Sequence, residues 1–303
     1  MGNTLIDISN ELAGITQALS PYVVSVRGRR HYPSSGLRWG ADLVVTANHT
    51  IRRDEDIAIV TDQGANVAAT LVGRDPGSDL AVLKIADAGA APAERVSTAA
   101  VKAGELALVV GRSPDSGVNA SLGIVSAVSG PWRTWAGSQL DAYVRLDAKM
   151  FPQSSGGAVV NGRGEIIGIA TAALSRIAGI VIPASTIKRV TAKLVERGFV
   201  PRGYLGVGVQ PVPVSEELRK TLSIANRRGL IVLTVESNGP AAKAGMLIGD
   251  VVLTAQDTAI ERIEDLYAFT ESAAIGSSAK IRFIRGGVLK EATVVVGERP
   301  GRS

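Results

Sequence analysis

Three side chains stand where a nucleophilic hydroxyl, a proton carrier and an orienting carboxylate would be wanted. Ser155 lies in Phe151-Pro152-Gln153-Ser154-Ser155-Gly156-Gly157-Ala158-Val159-Val160, a serine followed by two glycines and an apolar run. Small neighbours let a tight turn expose the hydroxyl and let another backbone come close. Serine alone is a weak nucleophile and needs a positioned base. His49 closes the apolar run Val44-Val45-Thr46-Ala47-Asn48, and Asp79 opens another, Leu80-Ala81-Val82-Leu83. A carboxylate there would be half buried, able to fix the imidazole tautomer and to stabilise the imidazolium. Each signal alone is ordinary: Ser-Gly-Gly is mostly a turn, a strand-end histidine mostly a satisfied one, and Asp79 a turn carboxylate. Their conjunction, in the order His, Asp, Ser, matches one of the three orders in which such triads occur.

The elements that must hold these residues are short and β-branched. Tyr22–Val26, Asp42–Thr46, Ile57–Thr61, Ala68–Val72, Leu80–Ile85, Leu106–Val110 and Gly123–Val128 read as strands separated by Gly, Asp and Ser, and Ala142–Leu146, Glu165–Thr171 and Gly179–Ile182 continue the pattern. Close, regular spacing with turn signals suggests antiparallel barrels or a sandwich. No long helices alternate with the strands, so a doubly wound parallel sheet is disfavoured. Ile8, Leu12, Ile15 and Leu19 recur at helical spacing before Pro21, giving an amphipathic N-terminal helix over residues 1–20. A strand-rich domain then spans 21–198 and closes with a helix over Ala184–Arg197, ended by Gly198. A second domain covers 199–303. Its strands are expected at Gly206–Gln210, Leu230–Val235 and Asp250–Ala255, its helices near Pro240–Ala244 and Ile263–Ala273, and its closing hairpin around Gly286-Gly287. The fold class is therefore mainly β, with an α+β C-terminal domain.

Composition removes other chemistries. The 303 residues contain no cysteine and two histidines, which excludes thiolate catalysis and multi-histidine metal centres, and no metal or cofactor is expected. The net charge of +5 is spread over both regions, a poor footprint for nucleic acid. No apolar run reaches the ~18–20 residues of a spanning helix. The N-terminus lacks the basic start and apolar stretch of an export leader, which as written points to the cytoplasm; periplasmic or membrane-associated placement is the alternative. Arg27–His31 and Arg52–Asp56 read as solvated surface loops.

Thr46-Ala47-Asn48-His49, Ser78-Asp79-Leu80-Ala81-Val82-Leu83-Lys84-Ile85 and Ser155-Gly156-Gly157-Ala158-Val159-Val160-Asn161 resemble the three triad segments of the HtrA (DegP-like) serine proteases. Arg202-Gly203-Tyr204-Leu205-Gly206-Val207 is similar to the carboxylate-binding loop of the PDZ domain that follows the protease there, and Gly239–Met246 and Ile248–Val252 resemble a further PDZ stretch. The resemblance implies a chymotrypsin/trypsin-like double β-barrel and hydrolysis of peptide bonds in misfolded or partly unfolded proteins. Ser155 would attack, His49 would shuttle the proton and Asp79 would orient it. The N–H groups of Gln153 and Ser155 would form the oxyanion hole, and Met150 with Thr171, Ala172 and Ala173 the pocket before the cut. It also implies a homotrimer, and a PDZ domain that captures C-termini or extended segments by strand addition. Tyr204, Leu205 and Gly206 would hold a terminal carboxylate and Val207 and Val209 would lie along the added strand. Leu266 and Thr270 would shape the side-chain pocket, with core packing an equal alternative for those two.

One departure bears on catalysis. The family usually has glycine where this chain has Gln153, asparagine at Phe151 and proline at Ala158. A side chain at position 153 disfavours the strained peptide that presents the N–H. The alternative is therefore a protease-fold chaperone or peptide-binding scaffold with little turnover.

Overall fold

Runs such as Leu80-Ala81-Val82-Leu83 show no polar alternation because both faces of these strands are covered. The structure, a computed structural model, describes residues 4–86, 95–135 and 137–299. Residues 1–3 of the expected N-terminal helix and 300–303 of the expected second domain lie outside these. The chain divides into two compact units, Met1–Val200 and Pro201–Ser303.

In the first unit, helix α1 (Thr4–Leu19) and a 3-10 turn lead into β1 (Val23–Arg27), β2 (Ser34–Arg38), β3 (Leu43–Ala47), β4 (Ile57–Val60), β5 (Asn66–Asp75) and β6 (Leu80–Ile85). These close into an antiparallel barrel in the order β1-β2-β3-β6-β5-β4. Next come β7 (Leu106–Ser113), β8 (Gly117–Ser129), the ribbon β9 (Trp132–Arg133) and β10 (Gln139–Leu140), and then β11 (Tyr143–Asp147), β12 (Ala158–Asn161), β13 (Ile166–Thr171) and β14 (Gly179–Pro183). A second barrel closes in the order β11-β14-β13-β12-β7-β8. Closure leaves neither sheet an open edge.

Alternate residues feed different cores. Ala81 and Leu83 join Val24, Val44 and Ile59 inside the first barrel. Leu80 and Val82 instead join Val45, Leu108, Val160, Ile169 and Ile182 in a layer shared by the two barrels. Leu19 of α1 enters the same layer, as do Ile187, Val190 and Leu194 of helix α2 (Ala184–Arg197). Each fully buried leucine or isoleucine contributes ~1.5–3 kcal/mol, so this layer sets how the barrels meet and hence the cleft between them. The end of α2 rests on β5, where a Cβ on Gly73 would lie 2.2 Å from the Gly198 carbonyl oxygen, so only glycine fits.

Strand boundaries differ from expectation in two informative places. β8 runs from Gly117 rather than Gly123, because β7 pairs with it over its full length, Leu106↔Ile124 through Ser113↔Gly117. Ser34-Ser35-Gly36-Leu37-Arg38 has the composition of a loop, yet it is a fully buried strand because β1 and β3 flank it.

The second unit comprises β15 (Gly203–Tyr204), β16 (Val207–Pro213), α3 (Glu216–Leu222), β17 (Arg228–Val235), α4 (Pro240–Lys243), β18 (Val251–Ala255), β19 (Thr258–Ala259), α5 (Ile263–Ser272), β20 (Ser278–Arg285), β21 (Val288–Val295) and β22 (Gly297–Glu298). The main sheet runs β16-β17-β18-β20-β21, which leaves β16 at an edge. Gly286 and Gly287, with φ of 57° and 79°, make the two-residue turn between β20 and β21. Helix α3 is an addition to the expected elements; the Ser215 hydroxyl caps it by accepting from the Leu218 N–H at 3.3 Å.

Candidate active site

His49 sits in a 3-10 turn at the end of β3, and Asp79 sits immediately before β6, the neighbour of β3 in the barrel. Asp79 holds the turn through its backbone and its side chain together. Its carbonyl accepts the Asn48 N–H at 2.9 Å, and Oδ1 accepts the His49 N–H at 2.8 Å. Oδ2 lies 2.8 Å from His49 Nδ1 and also accepts the Thr171 hydroxyl. A carboxylate only accepts, so Nδ1 carries the proton and the neutral ring keeps its lone pair on Nε2. The Asp79 side chain is 3% exposed and that of His49 28%, an arrangement in which the acid is shielded and the base is reachable.

Asp79 has φ of 57°, a left-handed conformation that aspartate tolerates better than most residues. Asp75 builds the turn that imposes it. Its buried carboxylate accepts from the N–H groups of Gly77 and Ser78 at 3.3 and 3.1 Å and from the hydroxyls of Ser78 and Ser138 at 2.6 and 3.0 Å.

Ser155 lies on the turn entering β12 and is 3% exposed. Among the described residues its Oγ has the Ala172 N–H, at 3.4 Å, and not the His49 ring, as hydrogen-bond partner. Thr171 and Ala172 are consecutive, and they touch Asp79 and Ser155 respectively, which brings all three candidate residues to one locus at the meeting of the barrels. The two glycines are sterically required. A Cβ on Gly156, at φ 85°, would lie 2.1 Å from the Ser35 carbonyl oxygen, and one on Gly157 would lie 2.5 Å from that of Val110. Ser35 grips the nucleophile turn from the first barrel. Its N–H donates to the Ser155 carbonyl at 3.0 Å and its hydroxyl to the Gln153 carbonyl at 2.6 Å.

The turn before the serine is closed by the Ser154 N–H donating to the Phe151 carbonyl at 2.9 Å. Pro152 and Gln153 occupy its central positions, and Gln153 is not among the residues of positive φ, which include Asp56, Asp79 and Gln256. A type II turn requires positive φ at its third residue, so this is type I, with its central peptide rotated about 180° from the type II orientation. The Gln153 N–H belongs to that peptide. The Pro152 carbonyl, its other end, accepts from Arg29 Nη2 at 3.2 Å.

Met150 packs against Gly179, where a Cβ would meet its Cγ at 2.9 Å. Lys149 places Nζ 4.9 Å from the centre of the Phe151 ring. Thr171 differs from the expected pocket wall: it is fully buried, and its hydroxyl is committed to Asp79 while accepting from the Ala173 N–H at 3.0 Å. Ala172 and Ala173 flank it. Thr171, Asp75, Ser35 and Arg29 carry roles that were not anticipated. The Asp-Pro-Gly-Ser turn before Asp79 was the one available signal, since aspartate readily accepts from N–H groups two and three residues on.

In the second unit the Leu205 carbonyl accepts the Ala241 N–H and that of Gly206 the Glu236 N–H, both at 2.8 Å, and Gly206 has φ of 76°. Tyr204 precedes this loop in β15, and Val207 and Val209 follow it along the edge strand β16. Leu266, on α5, is 7% exposed and packs in the core of this unit, and Thr270, one turn on, is buried with its hydroxyl donating to the Tyr267 carbonyl at 3.1 Å.

Residues 34–169 match the trypsin-like peptidase domain and residues 203–296 the PDZ domain. A probable periplasmic serine endoprotease, DegP-like, of Brucella suis is 34% identical over 268 residues, covering 85% of this chain and 50% of the relative. A protein of the same description from Pseudomonas putida is 30% identical over 262 residues, covering 85% and 54%. The HtrA-type protease AlgW, solved with a decapeptide, superimposes with a TM-score of 0.76 at 27% identity, covering 96% of this chain and 99% of that one. A serine endoprotease from Yersinia pestis gives 0.77 at 26% identity, covering 95% and 98%.

The double barrel, its cleft and the edge-stranded second unit thus define a trypsin-like peptidase domain followed by one PDZ domain. The chain belongs to the HtrA (DegP-like) family. It spans about half the length of the Brucella and Pseudomonas relatives. The cytoplasmic expectation is corrected by the same findings, because these relatives are named periplasmic. A leader is removed from the mature protein, so the residues of folded domains do not carry that address. Among the described residues no helix is long and apolar enough to cross a membrane.

Proposed function

We propose that the chain is a bacterial serine endopeptidase acting in the periplasm on misfolded or partly unfolded polypeptides, working as a homotrimer. In this reading residues 21–198 form the catalytic domain behind the helix of residues 1–20, and 199–303 form a PDZ domain that captures C-termini or extended segments. The reading rests above all on one observation: the Asp79 carboxylate holds His49 Nδ1 at 2.8 Å while Thr171 and Ala172, adjacent in sequence, touch Asp79 and Ser155. With Nδ1 protonated, Nε2 takes the Ser155 proton as Oγ attacks the scissile carbonyl and later delivers it to the leaving amine; the imidazolium in between is stabilised by Asp79. Charge builds on the substrate oxygen, where the N–H groups of Ser155 and, after rotation of its peptide, Gln153 would meet it. Met150, Ala172 and Ala173 shape a small apolar site suited to a medium aliphatic side chain.

In the PDZ domain the free edge of β16, with Val207 and Val209, would add the peptide as a further strand, and the Tyr204–Gly206 loop would take its carboxylate. The relatives named periplasmic endoproteases and the peptide-bound structures of AlgW support the same reading. The test is hydrolysis of casein and labelling by a fluorophosphonate probe, with wild type and Ser155→Ala. Stoichiometric labelling and hydrolysis confined to wild type are expected. Equal behaviour of the two proteins overturns the assignment and leaves the peptide-binding scaffold.

A further inference from the structure

Two loops of the first barrel, one following His49, carry arginines that the chemistry above does not use. Arg29 lies in the loop between β1 and β2, and Arg52 lies three residues after His49. The loops are tied together: the Arg52 N–H donates to the Gly28 carbonyl at 2.8 Å, and Arg53 Nη2 to that of Arg27 at 3.1 Å. Arg29 is held by the backbone of both barrels. Its guanidinium donates to the Tyr32 carbonyl at 2.5 Å and crosses to the Pro152 carbonyl at 3.2 Å, three residues before Ser155.

Partial burial, and then the neighbouring charge of Arg52, lowers the Arg29 pKa from its ordinary value, so the two guanidiniums feel each other. Among the described residues neither has an acid to answer it. Asp54, the nearest acid in sequence to Arg52, is paired with Arg74, and the exposed Glu55 and Asp56 form no ion pair with either arginine. Arg30 and Arg53, in the same two loops, and Arg27, which ends β1, add positive charge. Like charges held together without a counter-ion form an anion site waiting to be filled.

We propose that Arg29 and Arg52 select polypeptides carrying an acidic side chain just beyond the cleaved bond, on its leaving-group side. The proposal rests on Ser155 being the nucleophile. The acyl half of the substrate is assigned to Met150, Ala172 and Ala173, all from the second barrel, whereas both arginines belong to the first barrel and adjoin the start of the nucleophile turn and the segment after His49. That leaves them the other half. A carboxylate reaching between the two guanidiniums relieves their repulsion and gains charge-assisted hydrogen bonds.

The test uses matched fluorogenic peptides, amidated at the C-terminus so that the PDZ domain has no carboxylate to hold. They differ only in carrying Asp, Asn or Lys at the first two positions after the cleaved bond. Wild type should give kcat/KM about five- to tenfold higher for Asp than for Lys at low salt, the gap closing at high ionic strength. Arg52→Gln should remove the preference and Arg52→Glu should reverse it, each variant being compared with its own rate on the Asn peptide. Binding of the same peptides to Ser155→Ala and to Ser155→Ala/Arg52→Glu, read by fluorescence anisotropy, follows the selection without turnover. Loss of acidic preference in the double variant supports the site even if no hydrolysis is ever seen. Equal kcat/KM for the three peptides, equal binding by Ser155→Ala, or a preference that survives Arg52→Glu overturns it.

Discussion

On the proposed activity, replacing Gln153 by glycine should accelerate turnover, and the geometry sets by how much. The central peptide of the Phe151–Ser154 turn carries the N–H wanted in the oxyanion hole, and the type I conformation points it away. Two routes are open to the wild type. It can react with the Ser155 N–H alone, at a cost of ~2.7–4 kcal/mol for the missing donor. Or the peptide can rotate into the type II form, which puts Gln153 at positive φ for about 1–2 kcal/mol. Rotation also gives up the 3.2 Å hydrogen bond from Arg29 to the Pro152 carbonyl, for about 1 kcal/mol more. The route of lower cost dominates, and here it is rotation. Glycine removes the φ penalty and leaves the Arg29 contact, so the gain is about 1–2 kcal/mol, or about 5- to 30-fold in rate. It should appear in kcat and in the rate of fluorophosphonate labelling with little change in KM, because the oxyanion exists only in the transition state. A change of less than twofold would refute the turn argument. A gain well above a hundredfold would refute it too, because the wild type would then be working without the second donor.

Asp79→Asn should keep its left-handed backbone, which asparagine also tolerates, yet lower kcat about 10⁴-fold by releasing the Nδ1 proton position; peptide turnover measures this. Thr171→Val removes the hydroxyl on Asp79 Oδ2 at nearly constant volume and should cost about tenfold in kcat with KM unchanged, whereas a KM effect would mean that Thr171 is part of the pocket. Gly206→Val, at a position of φ 76°, should weaken binding of a free C-terminal peptide by more than about tenfold in an anisotropy titration while leaving an amidated control unaffected.

What the sequence disclosed about this site follows from where each residue finds its partners. His49, Asp79 and Ser155 sit at ends of apolar strands, and strand ends are visible in local pattern. The helix over Ala184–Arg197 was equally plain because its spacing and its Gly198 stop are local. Ser34–Arg38 was hidden because nothing in its own composition calls for a strand; its hydrogen bonds come from β1 and β3. Thr171 read as one more β-branched residue at the end of an apolar run. Its role arises from the barrel register that sets it against Asp79, 92 residues earlier in the chain. Gln153 was visible as a departure, but the direction of its N–H depends on one φ angle.

Among the described residues, hydrogen bonds that cross between the barrels include Ser35 to Gln153 and Ser155, Thr171 to Asp79, Ser138 to Asp75, Thr134 to Gly77, Arg29 to Pro152, and Arg112 to Ser35 and Val23. Each contributes on the order of 1 kcal/mol net, those from the guanidiniums ~1.5–3, and each forms only once the barrels already face each other in register. Alignment must therefore come from the apolar layer of Leu80, Val82, Leu108, Ile169 and Ile182. A comparison isolates this effect. Ile182 lies in that layer and Ile59 inside the first barrel, both fully buried. Truncation of either to alanine should destabilise by about 2–5 kcal/mol, but only Ile182→Ala leaves a void where the barrels meet. At a temperature where urea titration shows both variants folded, kcat should fall at least about fivefold for Ile182→Ala and stay within twofold of wild type for Ile59→Ala, since small misplacements of catalytic groups are costly. Equal losses in the two variants would show that the crossing hydrogen bonds, and not the shared layer, keep His49 and Ser155 in line.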